Sequence, residues 1–129
     1  MNERSLVFVY GSLLSGGAGQ KEGAFGNHRV IEGAKFLGEH VTEPIFTMIS
    51  LSAFPGVIEN GNTQIIGEIY EITDEIFARL DRLEGYPVFY GRQQIATAYG
   101  HAWIYLLPST YKGTHPIVPN GDWRKFKGV

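Results

Sequence analysis

The sequence predicts an α+β fold that is mostly β: a small mixed β-barrel with flanking helices. The chain has 129 residues, which is the usual size of one domain. Its apolar residues fall in about six or seven short runs between turn residues, a pattern typical of strands. Only residues 73–83 show a clear helical period. We therefore expect a single domain over residues 1–129.

The composition excludes several classes of function. Its 11 basic and 13 acidic residues give a formal charge of -2, which argues against a nucleic-acid partner bound through its phosphate backbone. The absence of cysteine excludes disulfide scaffolds, Cys-ligated metal centres and thiol nucleophiles. The 4 histidines lack metal-ligand spacing, so we expect no metal site. Glycine is in excess, with 17 residues.

The N-terminal segment does not resemble a targeting sequence. The apolar run at residues 6–10 is shorter than the core of a signal peptide, which needs about 7–15 residues. No segment approaches the roughly 20 apolar residues of a membrane-spanning helix. We therefore expect a soluble, cytoplasmic protein without a membrane partner.

The first half of the chain predicts short strands separated by turns. Residues 6–10 form a β-branched and aromatic run, as in a strand buried on both faces. Residues 11–27 are rich in glycine and predict a long loop, a type of segment that is often functional. The remaining features of this half are strands near residues 35–40 and 45–49, a turn at 54–57 that enters another strand, and a tight hairpin turn at 61–62.

The middle of the chain carries the clearest strand and the clearest helix. Residues 64–72 alternate as a strand does, and Glu68 falls on one of its apolar faces. Residues 73–83 follow a helical period that predicts a buried stripe including Leu83. Thr73 suits the N-cap of this helix, and Gly85 suits the left-handed position after it.

The last third of the chain predicts one hairpin. Residues 93–98 and 101–107 are expected to be strands that turn at residues 99–100. Residues 109–129 are rich in proline and glycine and show no strong period, so we expect no regular element there.

One candidate site is the point where the first strand runs into the glycine-rich loop, at Tyr10, Gly11, Ser12 and Leu13. Backbone N–H groups that leave a strand without a partner can bind an anion, and glycine lets them approach it closely. The alternative is a flexible turn with no ligand. The phosphate-loop pattern is absent, and Ser12 lacks the G-x-S-x-G context of a nucleophile.

A second candidate is Glu84, at the end of the predicted helix. It lies four residues after Leu80 and eight after Ile76, so it continues the apolar stripe, whereas Asp81 is expected to face water. Burial and the negative end of the helix dipole both raise the pKa of a carboxyl in this place, which suits a general acid or base. The alternative is that the helix frays before Glu84 and leaves it solvated.

Glu68 and the aromatic residues of the last hairpin are weaker candidates. Glu68 follows a glycine and could orient a substrate amine or Glu84 itself, or it could reach solvent at a strand edge. Trp103 and Tyr105 have strand spacing, which core packing explains better than base stacking.

Four short segments follow one another in order along the chain and cover roughly residues 6–107. They are VYGSL at 9–13, GAKFLG at 33–38, GEIYEI at 67–72, and LDRLEGYP at 80–87 with Tyr90 and Arg92. In this order and spacing they resemble the γ-glutamylcyclotransferase-like family. The chain departs from the family pattern because Asn27 follows an extended glycine-rich stretch, where many relatives reach their Asn within several residues.

The resemblance implies a pocket between the YGSL loop and a catalytic glutamate, Glu84. The implied reaction releases 5-oxoproline from a γ-glutamyl amine or amide, by attack of the substrate's own α-amine on its γ-carbonyl. It requires no metal or cofactor, and the implied partner is a small γ-glutamyl substrate. A monomer is the default state, and a dimer is left open. The candidates for substrate binding are Tyr10, Gly11, Ser12, Leu13, Tyr90 and Glu68.

Two other functions remain open at this point. A binding module could capture a small anionic ligand in the same pocket without turnover, in which case Glu84 need not face the pocket. An interaction protein could use the aromatic hairpin, in which case Trp103 or Tyr105 would form a large exposed apolar patch.

Overall fold

The computed structural model describes residues 4–11 and 31–127. The expectations for Ser12, Leu13 and Asn27, and for most of the loop at 11–27, lie outside these residues. The described elements are β1 (Arg4–Val9), β2 (Lys35–Val41), β3 (Phe46–Ser50), β4 (Pro55–Glu59), β5 (Ile66–Thr73), α1 (Asp74–Glu84), β6 (Gly91–Thr97), β7 (Gly100–Leu106), a short 3-10 helix (Ser109–Tyr111) and α2 (Trp123–Lys127).

Two sheets form the framework. The larger has five strands in the order β2-β5-β1-β7-β6, and the smaller pairs β3 with β4. β1 lies at the centre of the larger sheet, antiparallel to β5 and parallel to β7. The predicted mostly-β, mixed α+β fold is thereby confirmed. Because β1 is the central strand of the larger sheet, its C-terminal end and the following Tyr10 are buried in the interior of the molecule.

The larger sheet does not close into the predicted barrel. Its outer strands are β2 and β6. A groove lined by His40 and Thr42 on one side and by Gln94 and Ala96 on the other lies between these two edges. Side chains and solvent-accessible space therefore occupy the place where a closing ladder of hydrogen bonds would run.

The β2 edge is irregular. Its pairing with β5 shifts register between Phe36 and Gly38, which is a β-bulge. Gly38 has φ 156°. The hydroxyl of Tyr99, from the turn between β6 and β7, occupies the space that a side chain at Gly38 would need. Glycine at this position therefore lets the tip of the last hairpin cover the edge of β2.

α1 covers residues 74–84, one residue later at each end than the predicted helix, and has the predicted caps at Thr73 and Gly85. The Thr73 hydroxyl accepts a hydrogen bond from the N–H of Ile76, and Gly85 adopts a left-handed conformation with φ 64°. Ile76 and Leu80 are buried, as the helical period requires. Leu83 is 40% exposed, so its expected place on the buried stripe is wrong. Capping at both ends fixes the length of this helix and hence the position of its last residue.

Two further sequence expectations differ from the structure. The turn at residues 61–62 does not join a hairpin: β4 pairs back onto β3, and the chain then crosses to β5 in the other sheet. Residues 109–129 contain α2, whose Trp123 is completely buried in the core. The predicted hairpin of β6 and β7 is confirmed, with its turn at Thr97–Gly100. Among the described helices, none is long and apolar enough to cross a membrane.

Candidate active site

A small cavity lies where the end of β1 meets the end of α1. It encloses about 40 Å³, which is space for a few water molecules. The two predicted features, the start of the glycine-rich segment and Glu84, therefore share one cavity. The described residues that line it are Phe8, Val9, Tyr10, Gly11, Phe54, Pro55, Glu84, Tyr90 and Tyr105.

Glu84 is the last residue of α1 and is half-buried. The N–H of Gly85 donates to the carbonyl of Arg82 at 3.2 Å, and the N–H of Tyr86 donates to the carbonyl of Asp81 at 2.9 Å. These bonds close the last turn, so the alternative that the helix frays before Glu84 is wrong. Burial raises the pKa of Glu84 to about 7. Its carboxyl can therefore both accept and donate a proton near neutral pH.

Two tyrosines face Glu84 from other elements. The Tyr90 hydroxyl donates to the carbonyl of Pro55 at 2.7 Å, and the Tyr10 hydroxyl donates to the carbonyl of Tyr105 at 2.7 Å. Burial raises the pKa of both phenols well above the usual value, and nearby phenols and Glu84 add to this effect. Both side chains are therefore neutral. Each has already used its only proton, so what the Tyr90 oxygen can still offer a ligand is a lone pair.

Gly11 lines the cavity in close contact with Pro55. A Cβ at Gly11 would come within 2.7 Å of the Pro55 ring, so a larger residue would displace one wall. This contact explains why glycine suits the point where β1 leaves the sheet. Ser12 and Leu13 lie outside the described residues, so the anion-binding role of their N–H groups stays a prediction.

Asp81 does not face water, contrary to the expectation from spacing. Its two carboxylate oxygens accept hydrogen bonds from Nε and Nη2 of Arg92, at 3.0 and 3.2 Å. The Tyr105 hydroxyl donates a further bond to Asp81 Oδ1 at 2.7 Å. Burial and this contact with Asp81 raise the pKa of Tyr105, which stays neutral. Arg92 comes from β6, so long-range pairing overrides the local helical pattern.

Glu68 lies elsewhere in the structure. It is fully buried, and it is not among the described residues that line the cavity. The Tyr70 hydroxyl donates to its Oε1 at 3.0 Å, and Arg124 Nη1 lies 3.3 Å from its Oε2. The suggestion that Glu68 reaches solvent is wrong. The described residues that line the cavity therefore give no support to the predicted contact between Glu68 and a substrate.

The aromatic hairpin does not form an exposed patch. Tyr105 is buried, and half-buried Trp103 packs against Phe77 and against the Arg92 guanidinium, which lies 4.6 Å from the Trp103 ring centroid. A large exposed apolar patch on Trp103 or Tyr105 would have favoured the interaction-protein hypothesis, and neither ring forms one. Within residues 4–11 and 31–127, no cluster of three or more His, Asp or Glu side chains could hold a metal ion.

Sequence reasoning gave Phe54, Pro55, Asp81 and Tyr105 no role in the site. It assigned Tyr105 to core packing, although this side chain lines the cavity and donates to Asp81. Phe54 and Pro55 were read only as a turn, although a Phe-Pro-Gly sequence between two strands is the kind of segment that can cover a pocket. Asp81 was placed in solvent, although the Arg92 that the resemblance had already singled out is its natural partner.

The comparisons with known proteins identify the family of this chain. The family model described as "Gamma-glutamyl cyclotransferase, AIG2-like" matches residues 7–125. The chain is 37% identical over 118 residues to a Vibrio cholerae protein that is named, provisionally, as a gamma-glutamylcyclotransferase, with 92% of this chain and 94% of the relative covered. It is 34% identical over 117 residues to the gamma-glutamylcyclotransferase family protein YtfP of Escherichia coli K12, covering 91% and 94%.

Solved structures show the same fold. An uncharacterized protein of Pyrococcus horikoshii superposes with a TM-score of 0.75 at 25% identity, over 95% of this chain and 92% of that one. An AIG2-like protein of Mus musculus superposes with a TM-score of 0.72 at 22% identity, over 94% and 88%. The matched segment spans both elements that meet at the cavity. The chain therefore belongs to the gamma-glutamyl cyclotransferase, AIG2-like family.

Proposed function

We propose that this protein is a γ-glutamylcyclotransferase-type enzyme that releases 5-oxoproline from a γ-glutamyl amine or amide. In this proposal Glu84 is the general acid and base. The observation that carries it is the position of Glu84 in the cavity with a pKa of about 7, beside the end of β1. A carboxyl that is half ionised near neutral pH suits both directions of proton transfer.

The substrate's α-amine must lose a proton before it can attack, because an α-ammonium has no free electron pair. Its ordinary pKa is about 8, close enough to that of Glu84 for the transfer to be accessible. Ring closure is intramolecular, so the protein's first task is to hold the folded conformer, which removes much of the orientation cost.

Tyr90 supports this orientation of the substrate. Its hydroxyl proton is committed to the Pro55 carbonyl, so its oxygen can accept a hydrogen bond from the α-ammonium but cannot donate one. The ammonium group then lies between this oxygen and the Glu84 carboxylate. The N–H groups of Gly11, Ser12 and Leu13 are the proposed donors to the α-carboxylate or to the oxyanion, where one donor contributes about 3 kcal/mol.

In this proposal a single carboxyl group, that of Glu84, carries all the proton transfers of the reaction. Glu84 accepts a proton from the α-ammonium, and the amine nitrogen then forms a bond to the γ-carbon. The resulting oxyanion re-forms the carbonyl as the bond to the leaving nitrogen breaks, and Glu84 donates the proton to that nitrogen. The ring nitrogen still carries two hydrogens after the attack, and Glu84 accepts the second of its protons and passes it to the departing amine, which leaves as an ammonium. The ring nitrogen thus loses two protons in all, the leaving nitrogen gains two, and Glu84 returns to its starting state.

A product assay tests the proposal. The protein is incubated with γ-glutamyl amines, γ-glutamyl amino acids and glutathione, and 5-oxoproline is measured. We expect product from at least one of them, and none from the matching compound whose α-amine is acetylated. Product from the acetylated compound would contradict intramolecular attack by the amine. Binding of these compounds without product would instead support the binding module, and would overturn the enzyme.

A further inference from the structure

Arg92 holds the last turn of α1 against β6 and β7. Its guanidinium makes the two-point contact with Asp81 described above, the arrangement in which an Arg–carboxylate pair is strongest. It is also enclosed by three aromatic rings. Its Cζ lies 4.4, 4.2 and 4.6 Å from the ring centroids of Phe77, Tyr86 and Trp103. These contacts fix the guanidinium in one orientation, which a surface ion pair does not achieve.

Asp81 lies three residues before Glu84 on the same helix. Side chains at this spacing are neighbours on one helix face. The Asp81 backbone carbonyl also accepts the N–H of Tyr86 in the cap that ends the helix. A shift of Asp81 would therefore move both the backbone and the side-chain neighbour of Glu84.

We propose that Asp81 and Arg92 form a charge-neutral clamp that positions Glu84 without contacting the substrate. Asp81 and Arg92 are positioning residues, and Tyr105 joins the clamp through its hydroxyl. The clamp has two consequences for Glu84. It fixes where the carboxyl points, and it keeps the charges of Asp81 and Arg92 balanced, so that neither acts on Glu84 alone. The effect on turnover rests on the proposed function, whereas the effect on the Glu84 carboxyl does not.

The surroundings of Glu84 allow this clamp to be tested by charge. Within residues 4–11 and 31–127, the titratable groups that face it from other elements are Tyr10 of the segment after β1, Tyr90 before β6 and Tyr105 of β7, and all three are neutral phenols. Asp81 on its own helix and Arg92 on β6 supply one charge each. Removing either member of this pair therefore leaves the other as a new net charge near Glu84.

The decisive experiment follows the Glu84 carboxyl by ¹³C NMR through a pH titration, without substrate. In Asp81→Asn the uncompensated Arg92 stabilises the Glu84 carboxylate, so its pKa falls. In Arg92→Met the uncompensated Asp81 repels it, so its pKa rises. Shifts of opposite sign are the expected result. Shifts of the same sign, or no shift in either variant, would overturn the clamp. If Arg92→Met does not fold, the direction of the shift in Asp81→Asn decides alone.

Arg92→Lys separates positioning from charge. It keeps the cation but loses the planar two-point contact and the stacking. We expect the Glu84 titration to stay near that of the native protein, while kcat falls about 10- to 100-fold and KM changes much less. An unchanged kcat in a folded Arg92→Lys protein would refute the positioning role.

The matched control is Arg4→Met, which removes an arginine from an ion pair between β1 and β5. Arg4 lies 3.8 Å from Glu71 on the surface, away from the cavity lining. We expect neither kcat nor the Glu84 titration to change in this variant. A protein that makes no 5-oxoproline but shows the opposite NMR shifts would overturn the proposed function and leave the charge balance of the clamp standing.

Discussion

Two glutamates of this protein occupy opposite kinds of environment. Glu68, in the middle of β5, is fully buried and paired with Arg124 and with the Tyr70 hydroxyl. Glu84, at the end of α1, is half-buried in a cavity whose described titratable groups besides itself are neutral tyrosines. The sequence left a solvent-exposed alternative open for both, and the structure buries both, wholly or in part, yet their burial has different chemical consequences.

The difference shows what makes a buried carboxyl reactive. A carboxylate that is compensated by a guanidinium and a hydroxyl contributes mainly to the structure, and removing one partner is costly. A carboxyl that is desolvated beside neutral groups has its pKa raised, which suits proton transfer. The charge of the groups around a buried carboxyl, and not its burial alone, therefore decides whether the carboxyl has a structural or a catalytic role.

The largest effect is expected at the cavity. Glu84→Gln removes the proton acceptor while keeping the size of the side chain, so kcat for 5-oxoproline release should fall roughly 10²–10⁴-fold. Circular dichroism should be unchanged. The matched control is Glu75→Gln in the exposed first turn of the same helix, which should retain native turnover. Native turnover in Glu84→Gln would remove Glu84 from the mechanism.

The next effect is expected at the paired glutamate. Glu68→Gln leaves Arg124, whose side chain is 14% exposed, with the exposed Glu39 carboxylate as its remaining acidic partner among the described residues. We expect the free energy of unfolding to fall by about 1–3 kcal/mol because the buried contact is lost, measured by urea denaturation. The control is Glu71→Gln on the same strand, whose surface pair with Arg4 should contribute less than about 1 kcal/mol.

Turnover of Glu68→Gln sharpens the comparison further. If this variant kept its stability but lost turnover, Glu68 would join Glu84 as a functional residue. If the free energy of unfolding fell equally in the Glu68 and Glu71 variants, the buried pair would contribute no more to stability than the surface pair.

The smallest effect concerns the dependence of stability on pH. The pKa of Glu84 is raised from an ordinary value of 4.5 to about 7 in the folded protein. Between these values the folded state binds more protons than the unfolded state, so this group lowers stability as pH rises through the window. At pH 8, Glu84→Gln should therefore be more stable than the native protein by about 1–3 kcal/mol. At pH 4 the two should be nearly equal.

Thermal melts at both pH values check this prediction. A Glu84→Gln protein whose advantage over the native protein is the same at pH 4 and pH 8 would contradict the raised pKa. Glu75→Gln again serves as the control, since a solvated carboxyl should change little in either condition.

The sequence predicted the position of Glu84 because a single helical period places it relative to Ile76 and Leu80. Caps at Thr73 and Gly85 are local features, so the bounds of α1 could be predicted too. The environment of Glu68 could not be predicted from the sequence, because Arg124 lies 56 residues away along the chain and local patterns carry no information about that contact. The same holds for Asp81, whose partner comes from another element.

Two features of the fold were also beyond local reasoning. Whether the outer strands meet to close a barrel depends on the relative register of β2 and β6, which alternation within each strand does not determine. α2 has five residues, too few for a helical period to be recognised in the sequence.

The bulged edge of β2 bears on how copies of this chain meet one another. A sheet that stays open leaves backbone N–H and C=O groups along its outer strands, and these can template pairing with a second molecule. The register shift at Phe36 and Gly38 interrupts their even spacing, and Tyr99 lies over the same stretch. A glycine and a tyrosine thus oppose intermolecular strand addition, the route to aggregation that closure of the barrel would otherwise have removed.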